Sequence, residues 1–402
     1  MQTSANPPVK IPPAIWALGV VSLLMDMSSE LIHSLLPVFM VGSLGMSAFA
    51  VGLIEGAAEA TALIVKVFSG VLSDRWGKRK PLAVLGYGLG ALSKPLFALA
   101  TGAGLVVAAR LMDRVGKGLR GAPRDALVAD IAPPELRGAA FGLRQALDSA
   151  GAFLGPLLAM GLMLLWANNF RAVFWVAVVP AFLAVALLVF GVQEPVRRHD
   201  GPRTNPIRRG NLKRLSAAYW WVVGIGAIFT LARFSEAFLV LRAADGGLPV
   251  ALTPLVLIGM NAVYALAAYP FGKLSDRMSR TRLLALGLVL LIGADAALAF
   301  SNHWTGVWTG VTLWGLHLAV TQGLLATMVA DTAPADMRGT AFGFFNLVSG
   351  IAMLIASALA GLLWDRLGAE FTFLAGGAFS AAALLAILAS PAPAPSGLMD
   401  SR

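Results

Sequence analysis

Twelve apolar runs, most of them roughly twenty residues long, divide this chain of 402 residues. A helix of that length crosses a hydrocarbon layer of about 30 Å. In lipid every backbone N–H and C=O must be paired within the protein, which leaves spanning helices or closed barrels. Barrel strands would alternate in polarity over about ten residues, whereas these runs are continuous and rich in Ala, Leu and Gly. The expected class is an all-α polytopic membrane protein. The expected spans are 14–42, 49–72, 81–100, 104–122, 139–166, 171–192, 217–241, 251–273, 281–300, 304–328, 340–363 and 371–390. Composition agrees: hydrophobic types make up 58% and charged types 13%, against about 25% charged in a soluble domain. So little polar side-chain surface argues against a soluble enzyme. The chain has no cysteine, which removes disulfides, thiolate metal sites and cysteine nucleophiles. Residues 1–13, short and Pro-rich, lack the pattern of a cleavable signal peptide, so the first run reads as a span.

The formal net charge is +10, from 31 Lys+Arg against 21 Asp+Glu. The bases sit in alternate connections, so the excess points to cytoplasmic loops rather than to nucleic acid. Arg75, Lys78, Arg79 and Lys80 follow span 2, and Arg124 and Arg137 flank the next such connection. Arg277, Arg280 and Arg282 follow span 8, and Arg338 follows span 10. The other connections hold little beyond Arg171, Arg242 and Arg366. This bias predicts the basic loops, and with an even number of spans both termini, on the cytoplasmic side. The longest connection, 193–216, is basic and holds Pro195, Pro202 and Pro206. It reads as a linker between halves 1–192 and 217–402, either solvated throughout or partly an amphipathic helix on the membrane surface.

The chain also repeats itself. Ala129–Gly142 has a partner in Ala330–Gly343, at an offset of 201, and Gly70–Arg75 has one in Gly272–Arg277, at an offset of 202. Both pairs fall at equivalent loops. Two parallel halves related by an axis along the membrane normal suit alternating access.

The loop Gly70-Val71-Leu72-Ser73-Asp74-Arg75-Trp76-Gly77-Lys78-Arg79-Lys80, with its weaker copy Gly272-Lys273-Leu274-Ser275-Asp276-Arg277-Met278-Ser279-Arg280, resembles the signature loop of the major facilitator superfamily. Arg110, with Gly116 and Gly118 beyond it, resembles that family's proton-coupling motif in span 4. Gly151-Ala152-Phe153-Leu154-Gly155-Pro156 resembles the span 5 motif common among exporters that work as antiporters. The resemblance implies twelve helices in two parallel six-helix halves, a bacterial inner membrane location, and loops at Asp74, Arg75, Gly77 and Arg79 and at Asp276 and Arg277 that latch the halves. Pro156 removes an intrahelical bond, and Gly151 and Gly155 let a neighbouring helix come close.

A charge at the bilayer centre costs roughly 2.5–3.5 kcal/mol or more, so each ionisable residue in a span is a functional candidate. Asp26, Glu30 and His33 share one face of span 1. They are candidates for proton transfer, with His33 as a ligand or second proton site; the bland reading is pairing with Arg on a neighbouring helix. In span 2, Glu59 reads as the buried acid and Glu55 as closer to the outer end. Asp26, Glu30, Glu59 and Arg110 make up the expected proton-coupling set. Asp113, Arg114 and Lys117, with Arg120 and Arg124 beyond, read as a charge network formed in one conformation, joined by Asp125 and Asp130. Arg144 and Asp148 are spaced to pair within span 5, and Arg144 is alternatively an anchor for an anion. Arg233 and Glu236, Asn261 and Tyr264, His317 and Gln322, and Asn346 are substrate-contact candidates in spans 7, 8, 10 and 11. Asp295 in span 9 has no evident partner.

No phosphate-binding loop or nucleotide domain is present, so no cofactor is expected and energy must come from a gradient. Carboxylates in the spans favour protons. Three substrate classes remain open: an exported small organic compound or drug; an exported divalent metal such as nickel, cobalt or iron, held by Asp26, Glu30, His33 and His317; or an imported metabolite or anion. An enzyme is not expected, and the expected state is a monomer in lipid.

Overall fold

The computed structural model describes residues 11–76, 78–194, 215–275, 278–301, 303–321, 324–334 and 337–389. Most of the expected linker, Gly77, Asp276, Arg277 and Gln322, together with the side chains of Asp74 and Arg75, lie outside the described residues. The described chain is helical. Its spanning helices are α1 (Pro13–His33), α2 (Ala48–Trp76), α3 (Lys80–Leu99), α4 (Ala103–Ile131), α5 (Arg137–Leu165), α6 (Phe170–Gly191), α7 (Ala217–Ala232), α8 (Pro254–Ser275), α9 (Arg280–Phe300), α10 (Trp304–Thr321), α11 (Arg338–Leu367) and α12 (Ala369–Ala389).

Local chemistry sets many of these ends. The Asn169 side chain accepts from the N–H of Ala172, and Ser216 does the same for Tyr219. Arg242 donates to the carbonyls of Leu298 (2.9 Å) and Ser301 (2.6 Å), closing the C-terminal end of α9. Three expected spans differ in detail. α4 continues past Pro123 to Ile131 because its last turns are tied down: Arg79 binds Asp130 and the Ala126 carbonyl, each at 2.5 Å. Span 7 is two helices, α7 and Ala237–Asp245, with a break at Arg233–Ser235. The Ser235 N–H, freed there, donates to Ser357 Oγ of α11 at 3.1 Å. Span 1 runs on past α1 through Leu36–Val38 and a wide π turn at Phe39–Ser43.

Eleven helical segments among the described residues are long and apolar enough to cross a membrane. The twelfth helix, α4, is long enough but carries Arg110, Asp113, Arg114, Lys117, Arg120, Arg124, Asp125 and Asp130. Such a helix is stable between others only if those charges are matched by its neighbours.

Within the first six helices, α1 packs on α5 and α6, α3 on α4 and α6, and α2 on α4. Within the last six, α9 packs on α10 and α12, α8 on α10, and α7 on α11 and α12. The two sets meet chiefly where α2 runs along α11, with a smaller contact of α5 on α8. Apart from the α2–α11 line, which runs from Ala48 against Gly361 to Val67 against Gly343, the fully buried apolar clusters are shared between the sets at one end. There a single cluster joins Leu35, Phe39, Val51, Phe174, Phe238, Leu257, Trp314 and Phe373. At the end bearing the basic loops, packing divides into one cluster around Met25, Tyr87 and Leu127 and another around Tyr219, Leu284 and Met328. The helices are therefore joined by a common core away from the basic loops and separate cores near them.

Candidate functional site

The charged side chains expected in spans 1, 2 and 4 come together on α1, α2 and α4. Glu55 and Arg110 form the innermost pair, with Arg110 Nη2 donating to Glu55 Oε2 at 2.5 Å and both side chains buried. His33 lies against this pair. Its Nε2 is 2.6 Å from Arg110 Nη2 and 3.3 Å from Glu55 Oε2, and its Nδ1 is 3.3 Å from Glu30 Oε2. Arg110 can only donate, so in the neutral ring Nε2 accepts from Arg110 and Nδ1–H faces Glu30. In the imidazolium both ring nitrogens are donors, and both carboxylates are already in position to accept.

Further along α4 the pattern continues. Arg114 Nη1 is 3.1 Å from Glu59 Oε1 and its Nε is 3.6 Å from Asp113 Oδ2. Lys94 of α3, fully buried, donates to Asp113 Oδ1 at 2.7 Å and to Ser29 Oγ of α1 at 2.9 Å. Arg120 sits over the Tyr87 ring at 5.0 Å and 3.7 Å from Asp26. Arg124 reaches Asp125 (3.1 Å) and Asp148 (3.3 Å). Arg144 lies 3.5 Å from Asp148 and 3.8 Å from Asp125. Lys117 is exposed and within electrostatic reach of Asp26, Glu30 and Glu59.

The expected order of the two span 2 acids is reversed. Glu55 has no exposed side-chain surface, whereas Glu59 keeps 35%. The reason is Arg110: it stands one turn deeper than Arg114, so the buried position on α2 is the one facing it. Lys94 is absent from the sequence-derived set, although a lone base within an apolar run carries the same signal as Asp26.

Gly151 and Gly155 do allow a close approach, and the neighbour is α1. A Cβ on Gly151 would stand 2.3 Å from the Leu23 carbonyl oxygen, and one on Gly155 2.6 Å from that of Met27. Pro156 is buried within α5, which continues through it. Beside this crossing lies a hollow of ≈ 380 Å³ lined by Met27, Leu154, Leu157, Leu158, Gly161, Leu162 and Leu165.

The last six helices are poorer in charge. Arg233 and Glu236 flank the break after α7, half-buried, and Glu236 is within electrostatic reach of His33, Glu30 and Glu59 across the interior. Asn261, Tyr264 and Asn346 are half-buried on α8 and α11. His317 is fully buried: its Nδ1 donates to the Gly287 carbonyl (2.8 Å) and its ring stacks on Phe229 at 5.3 Å. Asp295 is fully buried beside Gly376 and Phe234. Asp26, Glu30, His33 and His317 are not assembled into one site. Among the described residues no group of three or more His, Asp or Glu is disposed to hold a metal ion.

A sequence-family description, Major Facilitator Superfamily, matches residues 18–260 and 223–399. The chain belongs to the major facilitator superfamily. It is 34% identical over 370 residues to an uncharacterized MFS-type transporter of Methanocaldococcus jannaschii, covering 90% of this chain and 91% of the relative. It is 27% identical to the multidrug resistance protein MdtH of Proteus mirabilis over 354 residues, covering 86% and 85% of the two chains. The solved structure of the nucleoside transporter NupG superposes with a TM-score of 0.80 at 12% identity, over 94% of this chain and 99% of that one. The superfamily and its fold make the chain a multi-pass membrane transporter, not an enzyme, built from two parallel six-helix halves.

Proposed function

We propose that the protein is a proton-coupled antiporter that exports a small organic compound. The observation that carries this reading is the clasp on His33. A proton arriving at Nε2 breaks its bond from Arg110 and makes two charge-assisted bonds, to Glu55 and Glu30. Before protonation Arg110 is the one cation among these four groups; afterwards the four are neutral together. Proton binding therefore changes both the charge and the bonding between α1, α2 and α4, which is what coupling to a conformational change requires. His33 and Glu30 keep part of their surface exposed, so a proton can reach them, while Glu55 and Arg110 lie behind. The relatives named for multidrug resistance support an organic substrate. The geometry gives no comparable support to a metal.

In this reading Asp26, Glu30, His33 and Glu59 exchange the proton beside the fixed charge of Arg110, and Arg144, Asp148, Arg233, Glu236, Asn261, Tyr264, His317, Gln322 and Asn346 form the walls that contact substrate. The latch belongs to Asp74, Arg75, Gly77, Arg79, Asp113, Arg114, Lys117, Asp276 and Arg277. The halves are 1–192 and 217–402, joined at 193–216. The basic loops and both termini face the cytoplasm of a bacterial cell, and the transporter works as a monomer.

The test is substrate-evoked proton flux in proteoliposomes with a luminal pH dye, given a panel of lipophilic drugs beside nickel, cobalt and iron(II). Flux evoked by an organic compound, and lost in His33→Asn while that variant still exchanges substrate for substrate, is the expected result. Undiminished proton flux in His33→Asn removes the clasp from coupling, and flux evoked only by a metal overturns the substrate class.

A further inference from the structure

We propose that Asp365 is the residue that latches the two halves together at the end opposite the basic loops, by capping a helix of the other half. Asp365 lies in the last turn of α11. Its Oδ1 accepts from the backbone N–H of Ala48 at 2.9 Å and its Oδ2 from that of Phe49 at 2.8 Å. Those N–H groups belong to the first turn of α2 and have no partner within their own helix. A carboxylate at a helix N-terminus also meets the positive end of the helix dipole. The cap is supplied in trans, from a residue 317 positions away and from the other half of the molecule.

The setting gives this cap a mechanical consequence. One turn before Asp365, Gly361 brings α11 so close to α2 that a Cβ would stand 2.4 Å from the Ala48 carbonyl oxygen and 2.6 Å from Phe49 Cα. The seam lies where the two halves share a common core, and near the basic loops their cores are separate. Turning the opening to the other side must separate the α2 and α11 ends, and the Asp365 bonds break as they part. Helix ends held only by apolar contacts slide gradually; a two-bond cap between rigid helix ends is either made or lost. Asp365 thus biases the empty transporter toward opening at its basic end.

The duplication adds an independent argument. At the offset of 201 that matches Ala330–Gly343 with Ala129–Gly142, Asp365 corresponds to Leu164 at the end of α5. A leucine side chain has no acceptor and cannot cap. The matching α5–α8 seam therefore lacks the device, and the latch acts on one side of the pseudo-twofold axis only.

The chain has no cysteine, so spin labels can be placed without background. One pair, Ser43→Cys with Glu370→Cys, reports the latched end; a second, Glu135→Cys with Arg338→Cys, reports the basic end. Distances by pulsed electron resonance are compared in otherwise native protein and in Asp365→Ala. The ratio of latch-open to latch-closed molecules should rise about two- to thirtyfold, the range a lost side-chain cap produces. The lengthening at the latched end should be matched by shortening at the basic end. Asp365→Asn, whose amide oxygen still caps, should stay closer to the native ratio than Asp365→Ala. Unchanged distances in Asp365→Ala overturn the proposal. So does lengthening at the latched end with no change at the basic end, which is local fraying. The readout needs neither substrate nor proton gradient, so it stands or falls apart from the antiport reading.

Discussion

Lys94 carries the clearest energetic consequence of any single residue. It is buried and bound to Asp113, which Arg114 touches only at 3.6 Å. Removing one partner of a buried pair strands the other charge and costs about 3–5 kcal/mol, whereas replacing both by apolar groups of similar size is often neutral. Lys94→Met should therefore lower the unfolding midpoint of the purified protein sharply, and Lys94→Met with Asp113→Leu should recover most of the loss. Additive destabilisation in the double variant would show that the two residues do not act as a pair. By contrast, Asp245→Asn removes an ion pair from Arg242 whose carboxylate is half exposed, and the change should stay within about 1 kcal/mol. The sequence marks which residues are charged inside spans; in the structure Glu30, His33 and Arg110 meet, while Asp26 lies by Arg120 and Glu59 by Arg114. It does not mark depth: whether Glu55 or Glu59 is buried depends on the height at which Arg110 and Arg114 cross α2, and helical spacing on one strand of sequence says nothing of that.

At the scale of elements, hydropathy locates the helices to within a few residues because each must span the same thickness of lipid. It misses what neighbours impose. α4 outruns its apolar stretch because Arg79 holds Asp130, and α7 stops at Ala232 because Ser357 can satisfy the freed N–H of Ser235. Nothing in either segment read alone contains those partners. Glycines are equally mute until a neighbour is placed. A Cβ on Gly52 would stand 2.0 Å from the Ser357 carbonyl oxygen of α11, and one on Gly151 2.3 Å from the Leu23 carbonyl of α1, while Gly88 faces open space. The obstacles at the first two are backbone atoms, which cannot swing aside. Gly52→Ala and Gly151→Ala should each destabilise by about 1–3 kcal/mol, the range for overpacking, and Gly88→Ala should leave the midpoint unchanged. Equal effects at all three positions would mean that helix flexibility, not close approach, is what these glycines provide.

For the molecule as a whole, the duplication copies the scaffold and not the chemistry. At the offset of 202 set by Gly70–Arg75 Glu55 corresponds to Leu257, and at the offset of 201 set by Ala129–Gly142 Arg110 corresponds to Val311. One half holds the polar network while the other offers it a mostly apolar face, with Glu236 as a charge that reaches across. That asymmetry and the separate cores near the basic loops place the open side. Lys117 is exposed on the charged face of α4, so the aqueous path to it should enter between the separate cores at the basic end. The common core and the Asp365 cap should close the path from the opposite end. A membrane-impermeant maleimide tests this in the cysteine-free chain. Lys117→Cys should label in everted vesicles and resist label in intact cells, and Ser43→Cys should do the reverse. Adding Asp365→Ala should raise the labelling of Lys117→Cys from outside the cell, because releasing the cap lets the halves part there. Strong labelling of Lys117→Cys in intact cells with Asp365 in place would mean that the sealed end faces the cytoplasm, and the orientation drawn from the basic loops would have to be inverted.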